Sequence, residues 1–126
     1  MELGLENKVA MVAAASKGLG FGVARALAQD GARVSICSRD ADAIEAAAAD
    51  LRSPTGASVL ATACDVRNPA DIQSWVDRTV AEWGQVDALL VNAGGPPAAY
   101  FVEVDDDQWQ AAFDLTLMSS VRLIRA

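Results

Sequence analysis

Three glycines, Gly18, Gly20 and Gly22, stand directly after an apolar run over residues 9–14 and open an amphipathic stretch reaching Leu27. A strand, a tight glycine-bearing turn and a helix whose first N–H groups are left bare would give this order of residue types. The unsatisfied N–H groups and the positive end of the helix dipole suit a phosphate or pyrophosphate. Glycines there remove the Cβ atoms that would hold phosphates away from the backbone. The chemistry expected is dinucleotide binding. A Walker-type loop is excluded, because Ser16-Lys17-Gly18 places the lysine before the glycine and no Gly-Lys-Ser/Thr ending follows.

Other chemistries are narrowed by what the chain contains. There is no histidine, which removes imidazole acid–base catalysis and imidazole metal sites. Asp105, Asp106 and Asp107 lack the spaced acids and glycine of a calcium loop and read as the acidic first turn of a helix; no metal site is expected. A net charge of −7 argues against nucleic acid and anionic membranes as partners. The start, MELGLENK, has neither the basic nor the apolar region of a secretion signal, and no apolar run reaches membrane-spanning length. Cys37 and Cys64, each in an apolar stretch, read as buried free thiols in a cytoplasmic setting. A disulfide is the alternative if their strands are neighbours.

The elements that must position the turn alternate regularly. Strands are expected over residues 9–14, 33–38, 58–63 and 88–91. A helix runs from about Gly18 to Gln29 and is closed by Gly31; a second starts at Asp40 and ends at Leu51, with Ile44, Ala47, Ala48 and Leu51 inward. Residues 52–56 (RSPTG) read as a turn. Asn68, Pro69 and Asp71 begin a third helix with an apolar face of Ile72, Val76, Val80 and Trp83, ended by Gly84. A last helix begins near Asp105; Trp109, Phe113 and Leu117 on one face and Leu115, Met118 and Val121 on others make it apolar nearly all round, which predicts burial. Alternating strands and helices predict an α/β fold, a doubly wound parallel sheet of Rossmann type in strand order 3-2-1-4 with helices on both faces. Ligands bind at the carboxyl ends of such strands, so the loops after Ala14, Ser38, Ala63 and Val91 form the site.

Those loops carry motifs that resemble the short-chain dehydrogenase/reductase family, nearest to its 3-oxoacyl-(acyl carrier protein) reductase-like members, over essentially the whole chain. The family's Thr-Gly-x-x-x-Gly-x-Gly turn matches residues 13–20, so that Ala14, Ser16, Lys17, Gly18, Leu19 and Gly20 are implied as cofactor-binding. Its Asp–Val pair, which contacts adenine, matches Asp65 and Val66, and its Asn-Ala-Gly segment is present as Asn92, Ala93 and Gly94. Ser38 takes the place of the acid of NAD-preferring relatives and Arg39 follows, as in NADP-preferring ones. The resemblance therefore implies NADP(H), with NAD(H) as the alternative and Asp40, otherwise a helix cap, as a rival ribose ligand. Gly95-Pro96-Pro97 reads as a stiff turn beside the site.

The sequence departs from the family pattern in two places. The family's first glycine is Ala14, and its helix asparagine, which supports the catalytic lysine through a water, is Thr116. The family's Tyr-x-x-x-Lys pair has no match: Tyr100 is followed four residues later by Val104, and the lysines are Lys8 and Lys17. The resemblance thus implies the cofactor-binding half of a carbonyl reductase or alcohol dehydrogenase acting on a small carbonyl or alcohol substrate. Residues 1–126 would be a dinucleotide-binding domain incomplete at its C-terminus, with the remaining catalytic residues beyond it. They would be inactive alone and would associate through the last helix into a homo-oligomer. Two other readings stay open: a non-catalytic nucleotide-binding or redox-sensing module, and an interaction protein.

Overall fold

A computed structural model describes residues 2–126. Its first half is built on β1 (Val9–Val12), α1 (Gly18–Gln29), β2 (Arg33–Ser38), α2 (Ala41–Thr55) and β3 (Val59–Ala63). There follow α3 (Pro69–Trp83), β4 (Ala88–Leu90), a single 3₁₀ turn (Phe101–Glu103), α4 (Asp106–Phe113), a π-helical turn (Asp114–Met118) and α5 (Ser119–Arg125). The four strands form one parallel sheet in the order β3-β2-β1-β4.

The period-two alternation of the strands divides the core between two faces. Val12, Val34, Ile36, Val59 and Ala61 pack under α1 and α2 with Ala24, Ala28, Ile44, Ala48 and Leu51. Met11, Ala13 and Cys37 point the other way, toward Ile72 and Trp75 of α3 and Leu123 of α5. Small residues on α1 and α2 let these helices approach the sheet closely. A buried polar cluster adds direction to the second face: Trp75 Nε1 donates to Ser35 Oγ at 2.9 Å, and the Ser35 and Thr79 hydroxyls lie 2.7 Å apart.

Four expectations are corrected. The first strand stops at Val12, because Ala14 takes a left-handed φ of 50° that no strand accommodates, although Ala13 and Ala15 N–H groups still bond to Leu90 and Cys37. Helix α2 runs through Pro54 to Thr55 where a turn was expected. Proline there removes one N–H, facing solvent at Asp50, while the Thr55 hydroxyl takes the Leu51 carbonyl and Gly56 ends the helix at φ 65°. On α3 the buried stripe is Ile72, Trp75 and Thr79, with Val80 exposed, because Ser35 offers the Trp75 N–H and the Thr79 hydroxyl a partner inside. The last helix is not buried: Trp109, Phe113 and Leu117 are exposed, and only Ser119 and Leu123 are enclosed. Phe101 meets Trp109 edge-on, yet the face stays largely open, and β4 is only half-covered as the sheet's edge.

Candidate functional site

The parallel order brings the carboxyl ends of all four strands to one side, and the loops leaving them line a cavity of about 590 Å³. The glycine turn supplies Ala14, Ser16, Lys17, Leu19 and Gly20; the β2 end supplies Ser38 and Arg39; the β3 end, Asp65 and Val66; the β4 end, Asn92, Ala93 and Gly94. Twelve of the residues singled out in the sequence thus share one surface. Gly18 and Thr116 do not line it. Gly18 serves the turn instead, with a φ of 63° that side chains disfavour. Thr116 is exposed and its hydroxyl donates to the Ala112 carbonyl at 2.6 Å.

Close approach explains the second glycine of the turn. A Cβ on Gly20 would collide with the Ala14 carbonyl and press on Asn92 Nδ2. That amide donates to the Ala13 and Ala14 carbonyls at 3.2 and 3.3 Å, so Asn92 fastens the β4 loop to the turn. The start of α1 has Lys17 in extended backbone, no capping side chain and no acid in its first turn. Its first N–H groups and dipole are therefore available to an anion, and the donor set around it (Ser16, Lys17, Arg39) fits a phosphorylated ligand. Asp40 is committed elsewhere: its carboxylate caps α2 by accepting from Ala43 N at 2.9 Å, while its carbonyl accepts from the Ser38 hydroxyl.

At the end of β3, next to the β2 end in the sheet, Asp65 is paired with Arg67, whose Nη2 lies 2.7 Å from Oδ2. Hydrogen bonding by that guanidinium holds the Asp65 carboxyl below the usual carboxylate range. Cys37 of β2 and Cys64, the residue after β3, are buried free thiols; the contact with Cys64, then burial, pushes the Cys37 thiol up. Among the described residues no cluster of three acidic or cysteine side chains is placed to hold a metal, and no helix is long and apolar enough to cross a membrane.

Sequence reasoning missed Arg67 and Leu115, which complete the wall together with Cys64, Gly95 and Pro97. Arg67 had a signal in its place two residues after Asp65. Leu115 had one in its place beside Thr116.

A family model described as short chain dehydrogenase matches residues 8–126. The chain is 37% identical over 123 residues to dehydrogenase/reductase SDR family member 4 of Bos taurus, covering 97% of this chain and 44% of that protein. It is 33% identical over 115 residues to the 3-oxoacyl-[acyl-carrier-protein] reductase FabG of Chlamydia muridarum, covering 91% of this chain and 46% of that one. The L-sorbose reductase of Gluconobacter frateurii, solved with NADPH and L-sorbose, superposes with a TM-score of 0.94 at 33% identity, over 99% of this chain and 48% of the other. The chain therefore spans about half the length of the relatives it matches.

Proposed function

The chain belongs to the short-chain dehydrogenase family, and from that premise we propose that the complete protein is an NADP(H)-dependent carbonyl reductase or alcohol dehydrogenase, with residues 1–126 as its cofactor-binding part. The observation that carries this reading is the single cavity in which the glycine turn, Arg39, Asp65 and residues 92–94 meet. A solved relative of the same fold holds NADPH.

Each wall of the cavity has a role in that reading. The uncapped α1 start receives the pyrophosphate, and Gly20 keeps the turn tight against Asn92. Arg39, with Lys17 lining the same cavity, supplies charge-assisted hydrogen bonds to a 2′-phosphate, and Ser38 puts no acid there to repel it. Asp65 accepts from the adenine amino group, and Val66 packs beside it. Ala93 and Gly94 border the nicotinamide end, with Gly95 to Pro97 shaping the entrance. A reduced nicotinamide bound there would supply hydride-transfer chemistry for a carbonyl substrate.

The proton for the developing alkoxide has no evident source in residues 1–126. Tyr100 is exposed and has no lysine four residues on, and Thr116 is turned onto Ala112. We therefore assign catalysis to the complete protein and expect these residues alone to bind cofactor without reducing a carbonyl. The exposed Trp109, Phe113 and Leu117 support a homo-oligomer formed through the last helix. Two buried free thiols fit a cytoplasmic protein.

The test is Arg39→Ala in the complete protein, with NADPH and NADH titrated by fluorescence. Loss of a hydrogen bond to a charged group weakens NADPH by about 1.5 kcal/mol, the low end because Arg39 is exposed, and leaves NADH nearly unchanged. Equal losses for both cofactors refute the 2′-phosphate role; no saturable binding of either refutes the nucleotide site.

A further inference from the structure

Arg67 is exposed, yet it makes more directed contacts than any other side chain along this cavity. Its Nε and Nη2 reach Asp65 Oδ1 and Oδ2 at 3.0 and 2.7 Å, and its backbone N–H donates to Oδ1 at 3.0 Å. The turn is fixed from both sides. Asp71 accepts from Asp65 N at 3.0 Å, and Arg122 of α5 donates to the Arg67 carbonyl at 3.0 Å.

From this arrangement we infer that Arg67 is a positioning residue that makes Asp65 a reader of the adenine amino group. The inference rests on the nucleotide reading above and deepens it. A carboxylate offers about four acceptor sites, and three Arg67 donors occupy three of them: its backbone N–H, Nη2, and Nε, which is shared between Oδ1 at 3.0 Å and Oδ2 at 3.2 Å. One acceptor site is left on a carboxylate that can no longer rotate freely. The pairing also cancels a negative charge that would otherwise repel the ligand's phosphates across the same cavity. An unpaired aspartate would bring repulsion and a mobile acceptor. The paired one presents an acceptor of fixed direction that accepts from an exocyclic amine and has no proton to give to a carbonyl oxygen. The site therefore discriminates adenine from hypoxanthine, and the discrimination depends on a residue that need not touch the base.

The experiment compares NADPH with its deaminated hypoxanthine analogue in the complete protein, using the ratio of the two dissociation constants. A merely structural role for Arg67 would shift both constants and leave the ratio alone. The native protein should favour NADPH by about tenfold, as for a half-exposed hydrogen bond to a charged acceptor. Arg67→Ala should bring the ratio to about two, and Arg67→Lys, which keeps the charge without the planar fork, to an intermediate value. Asp65→Asn, whose amide can also donate to the hypoxanthine oxygen, should abolish or invert the preference. A native ratio that survives in Arg67→Ala overturns the role of Arg67 while leaving the nucleotide site intact. A native ratio near one overturns the reading of Asp65, and absent NADPH binding overturns the site itself. If Arg67→Ala does not fold, Arg67→Lys decides: an unchanged ratio there overturns the inference.

Discussion

The segment up to α3 and the segment from β4 onward have similar apolar content but treat it in opposite ways. In the first, Leu51, Ile44, Ile36 and Trp75 are sealed from solvent, and the polar groups buried with them are paired. In the second, Phe101, Trp109, Phe113 and Leu117 lie largely open, with the edge-on pairing of Phe101 and Trp109 at 6.1 Å as their main mutual contact. The difference lies in the partners. Strands β1 to β3 have helices over both faces, whereas β4 is an edge and the helix after it is anchored mainly through Ser119, Leu123 and Arg122. Apolar side chains record a need for a partner; burial requires that the partner be present.

The largest effect should come from removing the same side chain on each side of that divide. Leu51→Ala removes a side chain with no exposed surface and should cost about 2–5 kcal/mol, read from urea unfolding. Leu117, 52% exposed, should cost below about 1 kcal/mol as alanine in dilute protein. Equal costs would break the comparison and show that the last helix is covered after all, and a concentration-dependent cost would assign the cover to a second copy.

Hydroxyls allow a second, smaller contrast. Ser35→Ala leaves the buried Trp75 N–H without its acceptor and should cost about 1–3 kcal/mol. The Ser120 hydroxyl donates back to the Thr116 carbonyl at 3.1 Å on an open helix, where such bonds contribute little. Ser120→Ala should therefore be neutral or slightly stabilising. A Ser35→Ala variant as stable as the native chain would mean that the polar cluster on β2 does not hold α3 in register.

The sequence is read most easily where local rules and tertiary environment agree. The glycine turn, the strand order and the inward faces of α2 were legible, because alternation and helical spacing acted on residues that do become buried. The face of α3 was legible only in part: Ile72 is inward as expected, but Thr79 displaced the more apolar Val80 once Ser35 faced it from β2. The π-helical turn at Asp114–Met118 was not legible, since no residue type announces it. At the site, the loops leaving the strand ends followed from the alternation of elements, whereas the residues on them came from the resemblance to the family's motifs. Arg67 was missed because its role depends on a side-chain pairing with Asp65 that spacing alone does not specify.

That pairing lies within the first segment, on the turn whose Arg67 carbonyl accepts from Arg122 of α5, and its pH dependence sharpens how weakly the turn is held. The Asp65 carboxyl is held below its usual range by Arg67, so its contribution is complete above the ordinary aspartate value of about 4 and is lost as pH falls through the lower folded-state value. Arg67 is exposed and Asp65 only partly covered, so the contribution should be small. Urea unfolding of the native chain and Arg67→Ala should differ by that small contribution at pH 7 and converge toward pH 3. A difference that grows on acidification would reverse the sign and reject the pairing as its source.

The smallest effect concerns the one residue of the glycine turn that is not glycine where its family has one. Ala14 sits at φ 50°, a conformation that costs an L-residue about 1–2 kcal/mol. Glycine would relieve that cost but would lose about 0.4–1 kcal/mol through the greater freedom of the unfolded chain. Ala14→Gly should therefore stabilise the protein by about 0.5 kcal/mol, a shift measurable only in paired urea titrations. Ala14 also lines the cavity, and glycine there adds no bulk, so the same change should leave NADPH binding unchanged or slightly tighter. The turn is already held there by the Asn92 amide on the Ala13 and Ala14 carbonyls, which is why relief of strain should not loosen it. If Ala14→Gly instead destabilises the chain or weakens NADPH, the methyl group contributes packing that its backbone angle conceals, and the turn has adapted to alanine.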